Sequence, residues 1–340
     1  MNIDIPDSSL CCMVGCYNEE ARISQVLAHA LSWADEILIV DKGSTDKTVE
    51  IARSHGARVQ VLGVPYAPQG EDNLVAWCQH ARCEWIFLVT CSETPTREVI
   101  AKARAFIQEP EVDLVYVPRK IYSFGHHHPT SPWSISFYPF LFHRRRAIIS
   151  NTIHDNVAAR HPDRTRRIQY SPTCCVFHFT HASADGFLKA VSSYARVEAG
   201  QWEKGAIPGK LIRSFSEIQR AIPGILQCGW HAPKILAAWS LYHLAVILHG
   251  MEHLEGGSVY ERYAVENEQL LAREWGIPYM PRVLTSPMIT TERSIRSEFP
   301  ALLRLTCLLC IAILVVAFPS YIAEIFRRAR RWTARRMGWE

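Results

Sequence analysis

The fold is decided by residues 10–48, which read LCCMVGCYNEEARISQVLAHALSWADEILIVDKGSTDKT. The apolar run Leu10–Gly15 predicts a buried strand, and residues 23–31 then carry apolar side chains at helical spacing. A second apolar run, Glu36–Val40, predicts another buried strand that ends at Asp41. Strand, helix and strand in so short a stretch indicate an α/β unit with parallel strands.

The same alternation continues to residue 89. We predict a helix over 48–54 stopped by Gly56, a strand over 59–62, a helix over 72–82 and a strand over 85–89. The predicted fold class is therefore α/β, a doubly wound and mainly parallel sheet with helices on both faces. Ligands of such sheets bind beyond the carboxyl ends of the strands, here residues 15–19, 41–46 and 90–93.

Beyond residue 120 the pattern is less regular. Residues 123–139 are rich in His, Pro, Ser and aromatic side chains and indicate a long loop. Strands are predicted over 140–142 and 174–179, and a helix over 185–203. Helical apolar segments dominate from Ile207, with a boundary near Gly205–Pro208. We therefore expect an α/β domain at 1–205, a helical region at 206–300 and an apolar, arginine-rich tail at 301–340.

The composition is that of a globular protein with a local basic tail. The chain has 340 residues, 48% hydrophobic and 21% charged, with a net charge of +4. Most of the eleven cysteines lie in apolar runs and no secretory signal is apparent, so we expect buried free thiols in a reducing cytoplasm. The local basic character favours anionic lipid as a partner and not nucleic acid. It rests on Arg327, Arg328, Arg330, Arg331, Arg335 and Arg336.

Two uncharged runs raise the question of a membrane. Leu305–Ala323 is just long enough to span a bilayer, and Ile235–Met251 is a second such run. The two could form a hairpin, or residues 305–326 could lie in the interface beside the arginines and tryptophans. A buried core helix is the alternative for 235–251. We expect peripheral or partly inserted attachment at the cytoplasmic face of the cell membrane.

The first ninety residues resemble glycosyltransferase family 2, which has the GT-A fold, and most closely its lipopolysaccharide-core glucosyltransferases. Residues 14–20, VGCYNEE, match the opening strand and turn of the family, and residues 33–48 match its V-D-S-G-S-T-D-x-T block. Weaker matches are Asn73, His154-Asp155 and residues 178–198. The resemblance covers the first 205 residues well, and it implies a GT-A-type sheet that binds a nucleotide-sugar donor, most simply a UDP-sugar.

The resemblance assigns the residues that would bind the donor. Asp41 can accept a hydrogen bond from the imide N–H of a uracil base, with Tyr17 and Asn18 as walls of the base site. Asp46 is expected to brace the turn at 43–45, although both aspartates could be turn residues only. The predicted substrate-binding set is Tyr17, Asn18, Glu19, Asp41, Lys42, Asp46, Asn73 and Ser92.

The sequence departs from the family at the metal motif. Where the family has Asp-x-Asp-Glu, residues 90–93 read Thr-Cys-Ser-Glu, so Glu93 is the only candidate metal ligand of this motif. One carboxylate with two hydroxyls is a poor cage for Mg²⁺ or Mn²⁺. Lys42, Arg119 or Lys120 could neutralise the diphosphate instead. We therefore expect a metal-independent site or one without catalysis.

An inverting transfer needs a general base near the acceptor hydroxyl. Asp155 is the first candidate because it matches the family's His-Glu position, and His154 is the second, as base or metal ligand. Asp155 could instead cap a helix. The loop at 126–138 could bind the acceptor, with Trp133 and Tyr138 stacking on sugar; a metal cluster at His126–His128 is the less favoured reading.

The leading hypothesis is an inverting glycosyltransferase that acts on a lipid-linked, lipopolysaccharide or other saccharide acceptor. The rival is a catalytically inactive relative that binds nucleotide and acts as a partner or scaffold at the membrane.

Overall fold

The computed structural model describes residues 8–56, 58–65, 73–150, 156–203, 207–254, 269–270 and 272–274. The chain divides into two compact units, and each is considered by itself. The first ends at Gln201 and also includes Gly224–Cys228, and the second contains Trp202–Pro223 and the chain from Gly229 onward.

The first unit contains all the strands of the described chain. They are β1 (Leu10–Cys16), β2 (Glu36–Asp41), β3 (Val59–Gly63), β4 (Trp85–Thr90), β5 (Glu93–Pro95), β6 (Leu114–Ser123), β7 (Ile135–His143), β8 (Ala147–Ile149), β9 (Val157–Ala159), β10 (Thr165–Arg167) and β11 (Val176–Thr180). The helices are α1 (Ile23–Ala30), α2 (Thr48–Ser54), α3 (Leu74–Cys78), α4 (Arg97–Phe106) and α5 (Ala184–Ala199), followed by α6 (Ile207–Leu226) and α7 (Ala232–Leu254).

The main sheet has the order β3-β2-β1-β4-β7-β6-β11-β5, with β10 paired to β6, and β8 and β9 form a separate pair. Strands β3, β2, β1 and β4 are parallel, whereas β7 is antiparallel to both β4 and β6. Strands β6 and β11 are parallel to each other, and β5 runs antiparallel to β11. The predicted fold class, a mainly parallel α/β sheet followed by a helical C-terminal region, is confirmed.

The central strands are buried on both faces, which explains their continuous apolar runs. One face packs against α1 and α4 through residues such as Leu27, Phe87 and Val99. The other packs against α3 through Leu74 and Trp77. The thiols described here are free and buried, as expected: Cys11, Cys12, Cys16, Cys78, Cys83, Cys91, Cys174, Cys175 and Cys228.

Several element boundaries differ from the sequence expectations. The loop predicted at 123–139 is wrong in its second part, because β7 begins at Ile135. Pro139, the last residue of the predicted loop, lies at a β-bulge where the pairing shifts, and proline is tolerated there. Helix α3 spans only residues 74–78 of the predicted 72–82. Beyond its end, the backbone N–H groups of Arg82 and Cys83 donate to the buried carboxylate of Glu36. The later strand and helix shift to 176–180 and 184–199.

The second unit is helical where it is described. The indole Nε1–H of Trp239 in α7 donates to the backbone oxygen of Glu217 in α6, 3.3 Å away. Gly250 of α7 lies against the ring of Trp202, where a side chain would clash. Within the described residues, the stretch 229–253 is long and apolar enough to span a membrane, and 44% of its most apolar window is buried. Such a helix also occurs in the cores of water-soluble domains, so it is weak evidence for a membrane. Leu305–Ala323 and the arginine tail lie outside the described residues.

Candidate functional site

Three segments that follow strand ends lie at one edge of the sheet. Because β1, β2 and β4 are parallel and in register, residues 17–20, 42–47 and 91–92 all leave the sheet at its C-terminal edge. The predicted binding residues are concentrated there, as the topology of an open α/β sheet requires. These segments form the candidate donor site.

The first two segments are joined by side-chain hydrogen bonds to backbone. The N–H of Asn18 donates to Ser44 Oγ (2.8 Å), and Asn18 Oδ1 accepts from the N–H of Thr45 (2.8 Å). The N–H of Glu19 donates to Thr48 Oγ1 (2.7 Å). Asn18 has a φ of 53°, a left-handed conformation that asparagine tolerates better than most residues. The two segments are therefore one hydrogen-bonded structure.

Asp41 braces the turn after β2. Its side chain is buried, and its carboxylate accepts hydrogen bonds from the N–H groups of Gly43 (3.2 Å) and Ser44 (3.1 Å). The thiol of Cys16 also donates to it at 3.8 Å. Gly43 has a φ of 77°, which the tight turn requires and glycine supplies without strain. Most of the acceptor capacity of Asp41 is thus directed to its own turn.

Asp46 has a different role from the one expected. Its carboxylate accepts from the N–H of Thr48 (3.0 Å) at the start of α2 and from the N–H of Glu20 (3.1 Å). The expectation that Asp46 braces the 43–45 turn is wrong, since Asp41 does so and Asp46 links the start of α2 to the β1 segment. The reason is local geometry: Asp41 precedes the tight turn, whereas Asp46 follows it.

The remaining predicted donor residues differ in exposure. Tyr17 and Asn73 are exposed, Glu19 is half-buried and ion-paired with Arg22, and Lys42 is buried. Asn73 Oδ1 accepts from the N–H of Ala76 at 3.1 Å, which makes Asn73 the N-cap of α3. Its assignment as a donor-binding residue stays a prediction, as do those of Tyr17, Glu19 and Lys42.

The segment after β4 is organised around the carboxylate of Glu93. Oε2 accepts from the N–H (2.9 Å) and hydroxyl (3.2 Å) of Thr90, and Oε1 accepts from Arg119 (3.2 Å) and from Nδ1 of His178 (2.9 Å). The hydroxyls of Thr90 and Ser92 are 2.9 Å apart and bond to each other. Glu93 therefore closes the turn and ties it to β6 and β11.

The environment of Glu93 keeps it ionised. Burial alone would raise the pKa of this carboxyl. The hydrogen bond and charge of His178, the charge of Arg119 and the N–H of Thr90 outweigh burial and lower the pKa to about 2. The buried carboxylate of Glu93 is thus paired with the partly buried guanidinium of Arg119 and imidazole of His178.

The residues of this turn do not fit a divalent cation. A metal ligand needs oxygen lone pairs directed into an open position, but both oxygens of Glu93 already accept from protein donors. Over the described parts of the chain, no group of three or more His, Cys, Asp or Glu side chains could hold a metal. Arg119, one of the three cations predicted to neutralise the diphosphate, is paired with Glu93, and its contact with a diphosphate stays a prediction.

The candidate bases His154 and Asp155 lie outside the described residues. Asn156, the next residue, exchanges hydrogen bonds with the hydroxyl of Tyr138 at 3.0 and 2.8 Å. The guanidinium of Arg119 lies 5.4 Å from the centroid of the Tyr138 ring. A continuous set of contacts therefore runs from Asn156 through Tyr138 and Arg119 to Glu93.

The histidines and aromatics of the 124–134 loop have individual roles. His127 donates from Nδ1 to the backbone oxygen of Ile121 (2.9 Å), whereas His126 and His128 contact each other with ring centroids 5.9 Å apart. Trp133 packs on His181 and Phe187, with ring centroids 5.3 and 5.9 Å away. These contacts give Trp133 packing partners within the protein, and the stacking of Trp133 and Tyr138 on a sugar stays a prediction.

Sequence reasoning missed the importance of His178 and of the aromatic residues on β6 and β11. The partner of His178, Glu93, is 85 positions away, so no local pattern identifies the pair. The rings of Tyr122 and Phe177 lie beside Lys120, and Phe179 packs on Tyr122. The alternation of Phe177 and Phe179 was the available signal, because residues two apart in a strand share a face.

Comparisons with known sequences identify a related family. Residues 11–164 match the family model of glycosyl transferase family 2. An uncharacterized glycosyltransferase of Rickettsia bellii is 26% identical over 193 residues, which are 54% of this chain and 63% of that protein. One of Rickettsia typhi is 48% identical over 44 residues, 13% of this chain and 15% of that protein. The chain thus spans less than two thirds of the length of these relatives.

Similar solved structures include S. aureus TarS 1–349 in complex with UDP-GlcNAc. It has a TM-score of 0.39 and 12% identity, covering 84% of this chain and 97% of that one. Glucosyl-3-phosphoglycerate synthase from Mycobacterium tuberculosis, in complex with Mn²⁺, UDP and glucosyl-3-phosphoglycerate, has a TM-score of 0.28 and 22% identity. It covers 34% of this chain and 44% of that one.

Proposed function

We propose that this glycosyltransferase of the family 2 type transfers a sugar, with inversion, from a nucleotide-sugar donor to a saccharide or lipid-linked acceptor. The observation that carries the proposal is the match of residues 11–164 to the family model, over the strands whose C-terminal ends form the candidate donor site. The closer likeness to lipopolysaccharide-core enzymes is part of the proposal and rests on the sequence motifs alone.

The donor is proposed to be a UDP-sugar bound at the joined segments 17–20 and 41–48. Asp41 remains the proposed acceptor for the base N–H, through the lone pairs that its turn does not use, since a carboxylate offers about four. Tyr17 is exposed at the same edge and would wall the base. The sugar diphosphate would then extend toward the Thr90–Glu93 turn, where hydroxyls replace the carboxylates of the family motif.

Chemistry at this site is proposed to proceed without a metal held by residues 90–93. The hydroxyls of Thr90 and Ser92 can donate to phosphate oxygens, and their neutrality avoids repulsion of the diphosphate. The acceptor hydroxyl would attack the anomeric carbon and transfer its proton to Asp155 or His154, while the bond between that carbon and the diphosphate oxygen breaks and the nucleoside diphosphate leaves. Asn156, the described residue that follows these two candidate bases in the sequence, bonds to Tyr138, and the ring of Tyr138 lies beside Arg119, the partner of Glu93.

The second candidate is a nucleotide-binding relative without catalysis. One observation favours this candidate: Glu93, the acid that remains in the motif, is paired with Arg119 and His178 and is therefore not directed toward a metal ion. In either case we propose attachment to the cytoplasmic face of the membrane through residues after Pro300, on the basis of the apolar run and arginines in the sequence.

The deciding experiment is a calorimetric titration with a panel of nucleotide sugars, with and without Mn²⁺, followed by detection of transferred sugar. UDP-sugar binding with transfer in the absence of metal supports the enzyme. Binding without transfer under any metal condition supports the scaffold. No binding of any nucleotide sugar contradicts both.

A further inference from the structure

One face of the β6–β11 pair carries aromatic side chains and a lysine. The strands pair so that Lys120 is opposite Phe177 and Tyr122 is opposite Phe179. Because alternate residues of a strand share a face, these side chains lie together, on the opposite face from Arg119 and His178. We refer to Lys120, Tyr122, Phe177 and Phe179 as the aromatic platform.

The rings of the platform lie close together, and one of them is exposed. The ring centroids of Tyr122 and Phe179 are 5.0 Å apart with their planes inclined by 33°, and those of Phe177 and Phe179 are 6.4 Å apart at 32°. Phe179 is 51% exposed. Exposed apolar patches rimmed by polar groups are typical of ligand sites. The negative face of an aromatic ring suits the C–H groups of a pyranose ring, which carry a small positive charge.

Two polar groups border the rings. Lys120 Nζ lies 5.5 Å from the Tyr122 centroid and 5.9 Å from that of Phe177. The ring of His127 is 5.6 Å from Tyr122. Since a carbonyl oxygen can only accept, His127 must donate from Nδ1 to Ile121, so the neutral ring keeps Nε2 as a hydrogen-bond acceptor. A cation and an acceptor beside stacked rings match a sugar with hydroxyls and an anionic group.

The platform adjoins the candidate donor site. Strand β6 is parallel to β4, since both are antiparallel to β7, so the C-terminal ends of β4, β6 and β11 share one edge. The N–H of Phe179 donates directly to the backbone oxygen of Ser92 at 2.8 Å. Phe179, whose ring is the most exposed of the platform, is therefore hydrogen-bonded through its backbone to the Thr90–Glu93 turn.

We propose that the aromatic platform is a carbohydrate site for an anionic saccharide, with a pyranose ring stacked on Phe179 and Tyr122 and its acidic group at Lys120. His127 Nε2 accepts from a sugar hydroxyl. This proposal rests on the proposed function and deepens it, because it names the acceptor class as a saccharide that carries a carboxylate or phosphate.

The test is a saturation-transfer NMR titration of the full chain with methyl β-D-glucuronide and, as the neutral probe, methyl β-D-glucoside. The wild type should bind the glucuronide about fivefold more tightly, the range expected for one partly exposed charge contact. Phe179→Ala should weaken both probes about tenfold through loss of the stacking ring. Lys120→Gln should abolish the preference for glucuronide.

The matched control is Leu188→Ala on α5, because Leu188 is 50% exposed and is not part of the platform. It should bind both probes as the wild type does, and Phe179→Tyr should retain binding because it restores a ring. Equal effects of Phe179→Ala and Leu188→Ala, or a wild type without preference for the glucuronide, would overturn the proposal.

The donor is absent from this experiment, so the two proposals fail separately. If the chain binds the glucuronide but no nucleotide sugar, the proposal for the platform is supported and the proposed transferase function is contradicted. If the chain binds and transfers a nucleotide sugar but does not bind the glucuronide, only the proposal for the platform is contradicted.

Discussion

Replacement of Glu93 by glutamine tests whether this carboxylate is a structural anion and not a metal ligand. Glutamine keeps the shape and one acceptor oxygen but leaves Arg119 and His178 beside a neutral group. Lowering of the Glu93 pKa from 4.5 to about 2 corresponds to about 3 kcal/mol of stabilisation at neutral pH, at 1.36 kcal/mol per pKa unit. We expect Glu93→Gln to reduce the free energy of unfolding by about that amount at pH 7.

The dependence on pH has a definite sign. The folded pKa lies below the unfolded value, so the stabilisation by Glu93 is complete above about pH 4.5 and is lost as the pH falls toward 2. The difference between wild type and variant should therefore shrink to roughly half near pH 3. Urea denaturation at pH 7 and at pH 3 measures it, with the exposed Glu98→Gln on α4 as a control that should change little.

Two results would refute the reasoning. One is a variant as stable as the wild type at pH 7, or equally destabilised at both pH values. The other is a folded Glu93→Gln protein that loses a Mn²⁺ dependence present in the wild type, because that loss would make Glu93 a ligand after all.

Three further predictions concern the donor, the metal and the membrane. Asp41→Ala should weaken UDP-sugar binding by about 1.5–3 kcal/mol by calorimetry, as expected for a charge-assisted hydrogen bond, with the exposed Glu50→Ala as control; unchanged affinity would exclude Asp41 from the site. Mn²⁺ should improve UDP-sugar affinity less than about tenfold, or 1.4 kcal/mol, and a larger gain would point to ligands elsewhere, first His154 and Asp155. The full chain should sediment with anionic vesicles, and a chain ending at Arg293 should not; a full chain that remains in the supernatant contradicts membrane attachment.

The first half of the sheet could be predicted because its strands are buried on both faces. Runs such as Leu10–Cys16 and Glu36–Asp41 have no polar face, and the turns between them contain residues with strong local preferences. Strand β7 could not be predicted in the same way. The first residues of β7 are only half-buried, and Pro139 interrupts its run of apolar residues. The bulge that accommodates this proline depends on pairing with β6, which lies about 20 residues earlier in the sequence.

The position of the candidate site could be predicted from the sequence, but the hydrogen-bond and ion-pair partners of its side chains could not. Strand ends identify the edge at which ligands bind, whereas the partners of each carboxylate depend on contacts between distant segments. Asp41 braces the turn at 43–45, whereas Asp46 accepts from Thr48 at the start of α2 and from Glu20 of the neighbouring segment. Glu93 is held by Arg119 and His178, which lie 26 and 85 positions away in the sequence.

The hydrogen bonds between Asn18 and the 44–45 backbone have a thermodynamic consequence for any ligand of this edge. Fixing a flexible backbone costs roughly 1–2 kcal/mol per residue, and a loop that orders only on binding subtracts that cost from its affinity. Here Ser44, Thr45 and Asn18 already restrain one another. Loss of the bond to Ser44 Oγ, as in Ser44→Ala, would therefore weaken binding chiefly through a less favourable entropy, with the ligand contacts themselves unchanged.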